Sequence, residues 1–164
     1  FDYLIDSWNL VSKKHPDWIL KIYGAGDKKL YINRIRQLNL EDKVLFMGCS
    51  NDISRGYCSG ALFVLSSRFE GFPLAIVEAM TKGLPIVSFN CPSGPSELVK
   101  NGGNGFLIPK VGDIQLMSDR ICKLMEDEKM RKDMGRESQK RSLAFNVFSI
   151  MEQWRRLFNE ISVH

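Results

Sequence analysis

The sequence predicts an α/β protein, a parallel sheet wrapped by helices on both faces and followed by a helical C-terminal segment. Three observations predict it. Apolar runs of strand length alternate with segments of helical period from Phe1 to Ile108, the pattern of a wrapped parallel sheet. Several of those runs end in glycine or small polar residues, at Gly24-Ala25-Gly26, Gly48-Cys49-Ser50 and Ser66-Ser67. Beyond Asp113 only helical period is left, and no proline occurs after Pro109. At 164 residues the chain is long enough for one domain with its own core.

Taken in order, Phe1 to Lys14 is a helix, because Tyr3, Leu4, Trp8, Leu10 and Val11 form one stripe and His15-Pro16 ends it. Trp18 to Tyr23 is a strand. Asp27 to Leu38 is an amphipathic helix through Leu30, Ile32, Ile35 and Leu38. Val44 to Met47 is a strand, and Asn51 to Cys58 a short helix capped by Asn51 or Asp52. Ala61 to Leu65 is a strand and Leu74 to Lys82 a helix. Gly83 and Pro85 stop that helix, and Pro73 suits its first turn, where a missing N–H costs nothing. Pro85 to Ser88 is a strand, Pro95 to Lys100 a short helix and Gly105 to Ile108 a last strand. Three helices close the chain, at Ile114 to Met125, Glu128 to Ala144 and Val147 to Ile161.

Composition narrows the function. Hydrophobic and charged residues at 44% and 26% are ordinary for a globular protein. No apolar run approaches the ~18 residues of a membrane span, and the N-terminus carries no signal-peptide pattern. Cys49, Cys58, Cys91 and Cys122 are scattered, which predicts free thiols in a reducing, cytoplasmic setting. His15 and His164 are the only histidines and neither has metal-ligand spacing; no Asp-x-Asp pair occurs either. No metal is expected. The net charge of +4 suits an anionic ligand without demanding one, and no nucleic-acid partner is implied. The mixed charges from Arg120 to Arg141 read as a solvated helix face, with contact to an anionic membrane surface as the lesser alternative.

The stretch Glu70 to Glu78 organises the rest. It places one carboxylate in a strand-to-helix loop and one inside the helix. Leu74, Ala75, Ile76, Val77, Ala79 and Met80 surround Glu78 with apolar neighbours, so the helix is expected to be buried. A carboxylate there needs strong partners. A vicinal diol, such as the two hydroxyls of a ribose, would accept it through two charge-assisted hydrogen bonds. The amides of Leu74 and Ala75 at the helix start would meet phosphates, and Gly71 would let a ligand close to the backbone. The plainer alternative pairs Glu78 with a Lys or Arg and leaves Glu70 as a surface acid.

The run Ser66-Ser67-Arg68-Phe69-Glu70-Gly71-Phe72-Pro73-Leu74, then Glu78-Ala79-Met80 and Gly83-Leu84-Pro85-Ile86-Val87, resembles the family 4 retaining glycosyltransferases. Ile86, between Pro85 and Val87, is the one departure from their signature. Cys91 to Glu97, Asn101 to Leu107, Gly24 to Gly26 and Phe46 to Gly48 extend the likeness. The resemblance implies a doubly wound Rossmann-like sheet, the C-terminal half of a GT-B fold. Residues 1–164 would then be a C-terminal nucleotide-sugar-binding domain, lacking its first strand, its basic phosphate clamp and an N-terminal acceptor domain. It implies a UDP-sugar donor as substrate, no cofactor, and a leaning to bacterial polysaccharide biosynthesis. Glu70 would touch the transferred sugar as the catalytic residue and Glu78 would hold the ribose. Gly71, Phe72, Pro73, Leu74 and Ala75 would supply backbone contacts, and Gly24, Gly26, Gly48, Cys49 and Ser50 would line the rest of the donor site. In two-lobed enzymes of this kind the last helix returns toward the N-terminal lobe.

Three other readings compete. An NAD-dependent oxidoreductase needs another glycine at position 29, where Lys29 stands. A nucleotide-sugar epimerase would share the two-lobed architecture. A non-catalytic nucleotide-binding lobe would have no need to keep Glu70. Strand order gives a structural expectation as well. In a 3-2-1-4-5-6 sheet the first strand lies between the second and the fourth; the resemblance places that strand before Phe1, so Trp18–Tyr23 and Ala61–Leu65 are expected to flank an empty slot. Upstream residues are expected to fill that slot, because closing it or filling it from a neighbouring chain would need the sheet to be rebuilt.

Overall fold

Leu4, Ile5, Trp8 and Val11 recur at helical spacing. In the computed structural model, which describes residues 1–161, they are the buried face of α1 (Asp2–Lys14). The chain then alternates as predicted: β1 (Leu20–Tyr23), α2 (Lys29–Gln37), β2 (Val44–Gly48), α3 (Ile53–Cys58), β3 (Phe63–Leu65), α4 (Leu74–Thr81), β4 (Ile86–Phe89), α5 (Pro95–Leu98) and β5 (Gly105–Ile108). The helices α6 (Ile114–Glu126), α7 (Glu128–Ser142) and α8 (Val147–Ile161) follow, with a 3-10 turn at Leu143–Phe145. Strand starts shift by up to two residues. Asp52 takes the first-cap position of α3 without a side-chain cap; its carboxylate pairs instead with Arg55 at 2.9 Å. Asp113 and Asp127 cap α6 and α7 by accepting from Leu116 N at 3.0 Å and Met130 N at 2.7 Å.

Every strand pair is parallel. β4 is central and buried along its whole length, as a strand covered on both faces must be. Its side chains alternate between two cores. Val87 and Phe89, with Phe106 and Ile108, face α1 and α6; Ile86 faces α4 with Ala79, Met80, Leu98 and Val99. This period of two is what makes the sheet doubly wound.

The ladders are β1-β2 and β3-β4-β5, and β1 does not pair with β3. The gap foreseen from strand order is therefore present and has not closed. A cavity of about 1030 Å³ lies along it, walled by Leu20, Ile22, Phe63 and Leu65. Trp8 also lines it, and its buried Nε1–H has no hydrogen-bond partner. Buried backbone and indole donors are rarely left so.

The charges of α7 pair along the helix, Lys132 with Glu128 at 2.6 Å and Lys129 with Asp133 at 3.7 Å, as on a solvated face. Arg131 and Arg141 do something the sequence did not suggest. Arg131 donates to Leu124 O at 2.7 Å, and Arg141 to Leu98 O at 2.9 Å, tying helix ends down. Helix α8 buries none of its residues; Phe148 is 87% exposed and Trp154 50%. No described helix is long and apolar enough to cross a membrane.

Candidate active site

The carboxyl ends of the strands set the site. Gly24 N donates to Gly48 O at 2.9 Å, so the loops after β1 and β2 are fastened together. Gly24 and Gly48 have positive φ, +141° and +73°, as such sharp exits require. Gly24, Gly48, Cys49, Ser50, Ser66, Ser67 and Ala75 all line the cavity between β1 and β3, whereas Glu70, Gly71, Phe72, Pro73, Leu74 and Glu78 do not. Gly26 is exposed and does not line it.

Beyond β3 the chain turns through Glu70 to Pro73 into α4. The loop after β4 braces this turn. A Cβ on Gly94 would lie 2.3 Å from Pro73 Cδ, so the two segments touch backbone to ring. Phe72 packs its ring on Phe145 at 6.2 Å. Glu70 is half-buried and has no hydrogen-bond or ion-pair partner among the described residues. Cys91, 3% exposed, sits near enough that burial first and the Glu70 charge second push its thiol up. Cys91 therefore stays neutral beside the carboxylate. Arg68, two residues before Glu70, is engaged elsewhere: it pairs with Asp2 and lies over the Tyr3 ring at 4.4 Å.

Two expectations about α4 need correction. The helix is not buried all round. Ile76, Ala79 and Met80 form its buried stripe, while Leu74, 64% exposed, and Glu78 lie one turn apart on the open side. Apolar neighbours in sequence do not bury Glu78, because only one helical stripe faces the sheet. The Leu74 amide is also not free. Pro73 bends the chain so that Leu74 N donates to Phe72 O at 2.9 Å, and Ile76 N donates to Pro73 O at 2.9 Å. Among the amides of that first turn, Ala75 N–H has no acceptor among the described residues.

Among the described residues Glu78 has no Lys or Arg partner. Its Oε2 accepts from Tyr57 Oη at 2.8 Å. Burial, then the Glu78 carboxylate, raises the Tyr57 phenol well above its ordinary range, so it remains a donor. Tyr57 was not singled out in the sequence; nothing in the spacing of a six-residue helix marks it. Among the described residues no group of three His, Cys, Asp or Glu is placed to hold a metal; His164 lies outside them. All four cysteines are free, Cys49 and Cys58 exposed, Cys91 and Cys122 buried.

Comparison with known proteins places this arrangement. A family model described as glycosyl transferases group 1 matches residues 1–141. An uncharacterised glycosyltransferase of Haemophilus influenzae is 38% identical over 156 residues, which is 94% of this chain and 44% of that protein. A Staphylococcus aureus TarM variant, crystallised with fondaparinux, α-GlcNAc-glycerol and UDP, superposes with a TM-score of 0.89 at 32% identity, over 96% of this chain and 32% of its own. The C-terminal domain of a glycosyl transferase group 1 family protein from Francisella tularensis superposes with a TM-score of 0.78 at 25% identity, over 88% of this chain and 78% of its own. The chain spans less than half the length of the curated relatives it matches.

Proposed function

The chain belongs to the group 1 glycosyl transferases, and we propose that it is the donor-binding half of a retaining one. The observation that carries this is the pair of carboxylates. Glu70 and Glu78 bracket the start of α4 at the carboxyl edge of the sheet, and neither has a cationic partner among the described residues. They are left for a ligand. Glu78 holds the ribose hydroxyls of a UDP-sugar, the Ala75 amide faces the phosphates, and Gly48 to Ser50 lie toward the base. Glu70 lies against the sugar. The bond between the anomeric carbon and the β-phosphate oxygen breaks, and its electron pair leaves with UDP. The acceptor hydroxyl bonds to that carbon on the same face and gives up its proton to the departing β-phosphate oxygen of UDP. Glu70 stabilises the positive charge that develops on the ring.

In this reading residues 1–164 are a C-terminal lobe, cytoplasmic, working with an N-terminal lobe that binds a saccharide or lipid-linked acceptor. A strand of the longer protein would fill the cavity between β1 and β3, pair both edges and offer Trp8 a carbonyl. The exposed face of α8 would return toward the acceptor lobe. The Francisella domain, crystallised as such, supports a lobe that stands by itself.

Calorimetry with UDP tests the donor assignment. Glu78→Ala is expected to lose about 2 kcal/mol, roughly 30-fold in Kd. Two charge-assisted bonds of ~1.5–3 kcal/mol each would give more, and the exposure of Glu78 to solvent discounts them. Unchanged affinity in that variant, or saturable binding of NAD in place of UDP, would overturn it. Affinity is also expected to be indifferent to chelator, since Lewis-acid help needs acidic or histidine ligands that this edge does not gather. Loss of UDP binding in EDTA, restored by magnesium, would refute that second expectation.

A further inference from the structure

Glu78 stands on the open side of α4, where a long acidic side chain is free to swing and must be ordered before it can grip a diol. The structure orders it in advance. Tyr57, near the end of α3, donates its hydroxyl to Glu78 Oε2 at 2.8 Å. The hydroxyl is itself held in place. The Tyr57 ring packs on Phe63 of β3, centroids 5.9 Å apart, and against the apolar cluster that α4 shares with β4. The residue before it is Gly56, where a Cβ would lie 2.9 Å from the ring of Tyr23 at the end of β1. So α3, although it buries no residue, is seated on one aromatic ring from each ladder.

We infer that Tyr57 is the positioning residue of the donor site, fixing the Glu78 carboxylate in the orientation that receives the ribose diol. The inference rests on the reading of Glu78 as the ribose-holding group. Three features of the structure agree with it. Glu78 Oε1 is left without a partner among the described residues, so one oxygen is held and the other presented. The phenol is kept protonated, so it donates and does not compete as an anion. Tyr57 also lines the cavity that Gly48, Cys49, Ser50 and Ala75 line, so it stands among the loops assigned to the donor. The Tyr57 oxygen also keeps lone pairs that a ribose hydroxyl could donate to.

The test uses the 164-residue chain, UDP and 2′-deoxy-UDP. Tyr57→Phe keeps the ring and its packing and removes only the hydroxyl. It is expected to raise the Kd for UDP about 5–10-fold, to narrow the gap between UDP and 2′-deoxy-UDP, and to leave the melting temperature nearly unchanged. In a Glu78→Ala background the same change should have no further effect, which a merely structural tyrosine would not obey. Phe63→Leu, which loosens the seat and keeps the hydroxyl, should weaken UDP in the same direction by less. Wild-type UDP affinity in Tyr57→Phe alongside an impaired Glu78→Ala overturns the role of Tyr57 and leaves the donor assignment standing. An unimpaired Glu78→Ala overturns both. Additive losses in the double variant also overturn the positioning role.

Discussion

Glu70→Gln is expected to lower kcat by about 10²–10³ while the Kd for UDP stays within about twofold. The amide is the same shape as the carboxylate and keeps an acceptor oxygen, so packing around Pro73 and Cys91 should survive. What it loses is charge, and charge matters only where positive charge develops, on the sugar ring in the transition state. The structure makes the carboxylate available for that. It is half-buried in the turn between β3 and α4, has no cation beside it among the described residues, and has a neutral Cys91 thiol as neighbour. A site walled partly from water strengthens such an interaction. The measurement needs both halves of the proposed enzyme, with donor consumption followed at saturating UDP-sugar and UDP binding followed by calorimetry. Equal losses of turnover and affinity would make Glu70 a structural residue.

Much of this fold was legible because its signals are local. Periodicity and stop residues found the strands and helices of the described residues, and strand order together with the family resemblance foresaw a gap between β1 and β3. Glu78 stood out because an acid is rare in an apolar run, and Glu70 through the resemblance to the family signature. The errors came where a residue's surroundings are set by elements distant in sequence. The buried stripe of α4 is chosen by the sheet it rests on, so sequence neighbours misplaced Glu78 inside. The Leu74 amide was lost to a tight turn at Pro73 that no propensity announces. Tyr57 reaches Glu78 across 21 residues, and Arg141 reaches Leu98 across 43. Contacts of that kind leave no period to read.

Gly105→Ala is expected to cost on the order of 3 kcal/mol or more, and to lower Tm by about 6–12 °C. Gly105 opens β5 directly opposite Ile86, which opens β4. A Cβ there would lie 2.0 Å from Ile86 O, 2.8 Å from its carbonyl carbon and 2.9 Å from its nitrogen. All three are backbone atoms of a strand buried on both faces, so no flexible side chain can yield. β5 would have to move away, and with it the turn before it. Ile86 N donates to Asn104 O at 3.1 Å, Gly102 N to Gly105 O at 2.8 Å, and Ser138 of α7 to Asn104 O at 3.1 Å. Buried donors would lose their acceptors together. Gly71→Ala is the control. A Cβ at Gly71 meets nothing within 4 Å and its φ is not in the left-handed region, so stability should change by less than about 0.5 kcal/mol. Urea or thermal unfolding of the two variants reads the difference directly, and a Gly105→Ala protein as stable as the parent would refute the close approach of β4 and β5. The two glycines belong to the same family resemblance for different reasons. Gly105 is held by the fold, whereas nothing in the fold requires Gly71, so any UDP affinity lost in Gly71→Ala reports how closely the ligand approaches the backbone between the two glutamates.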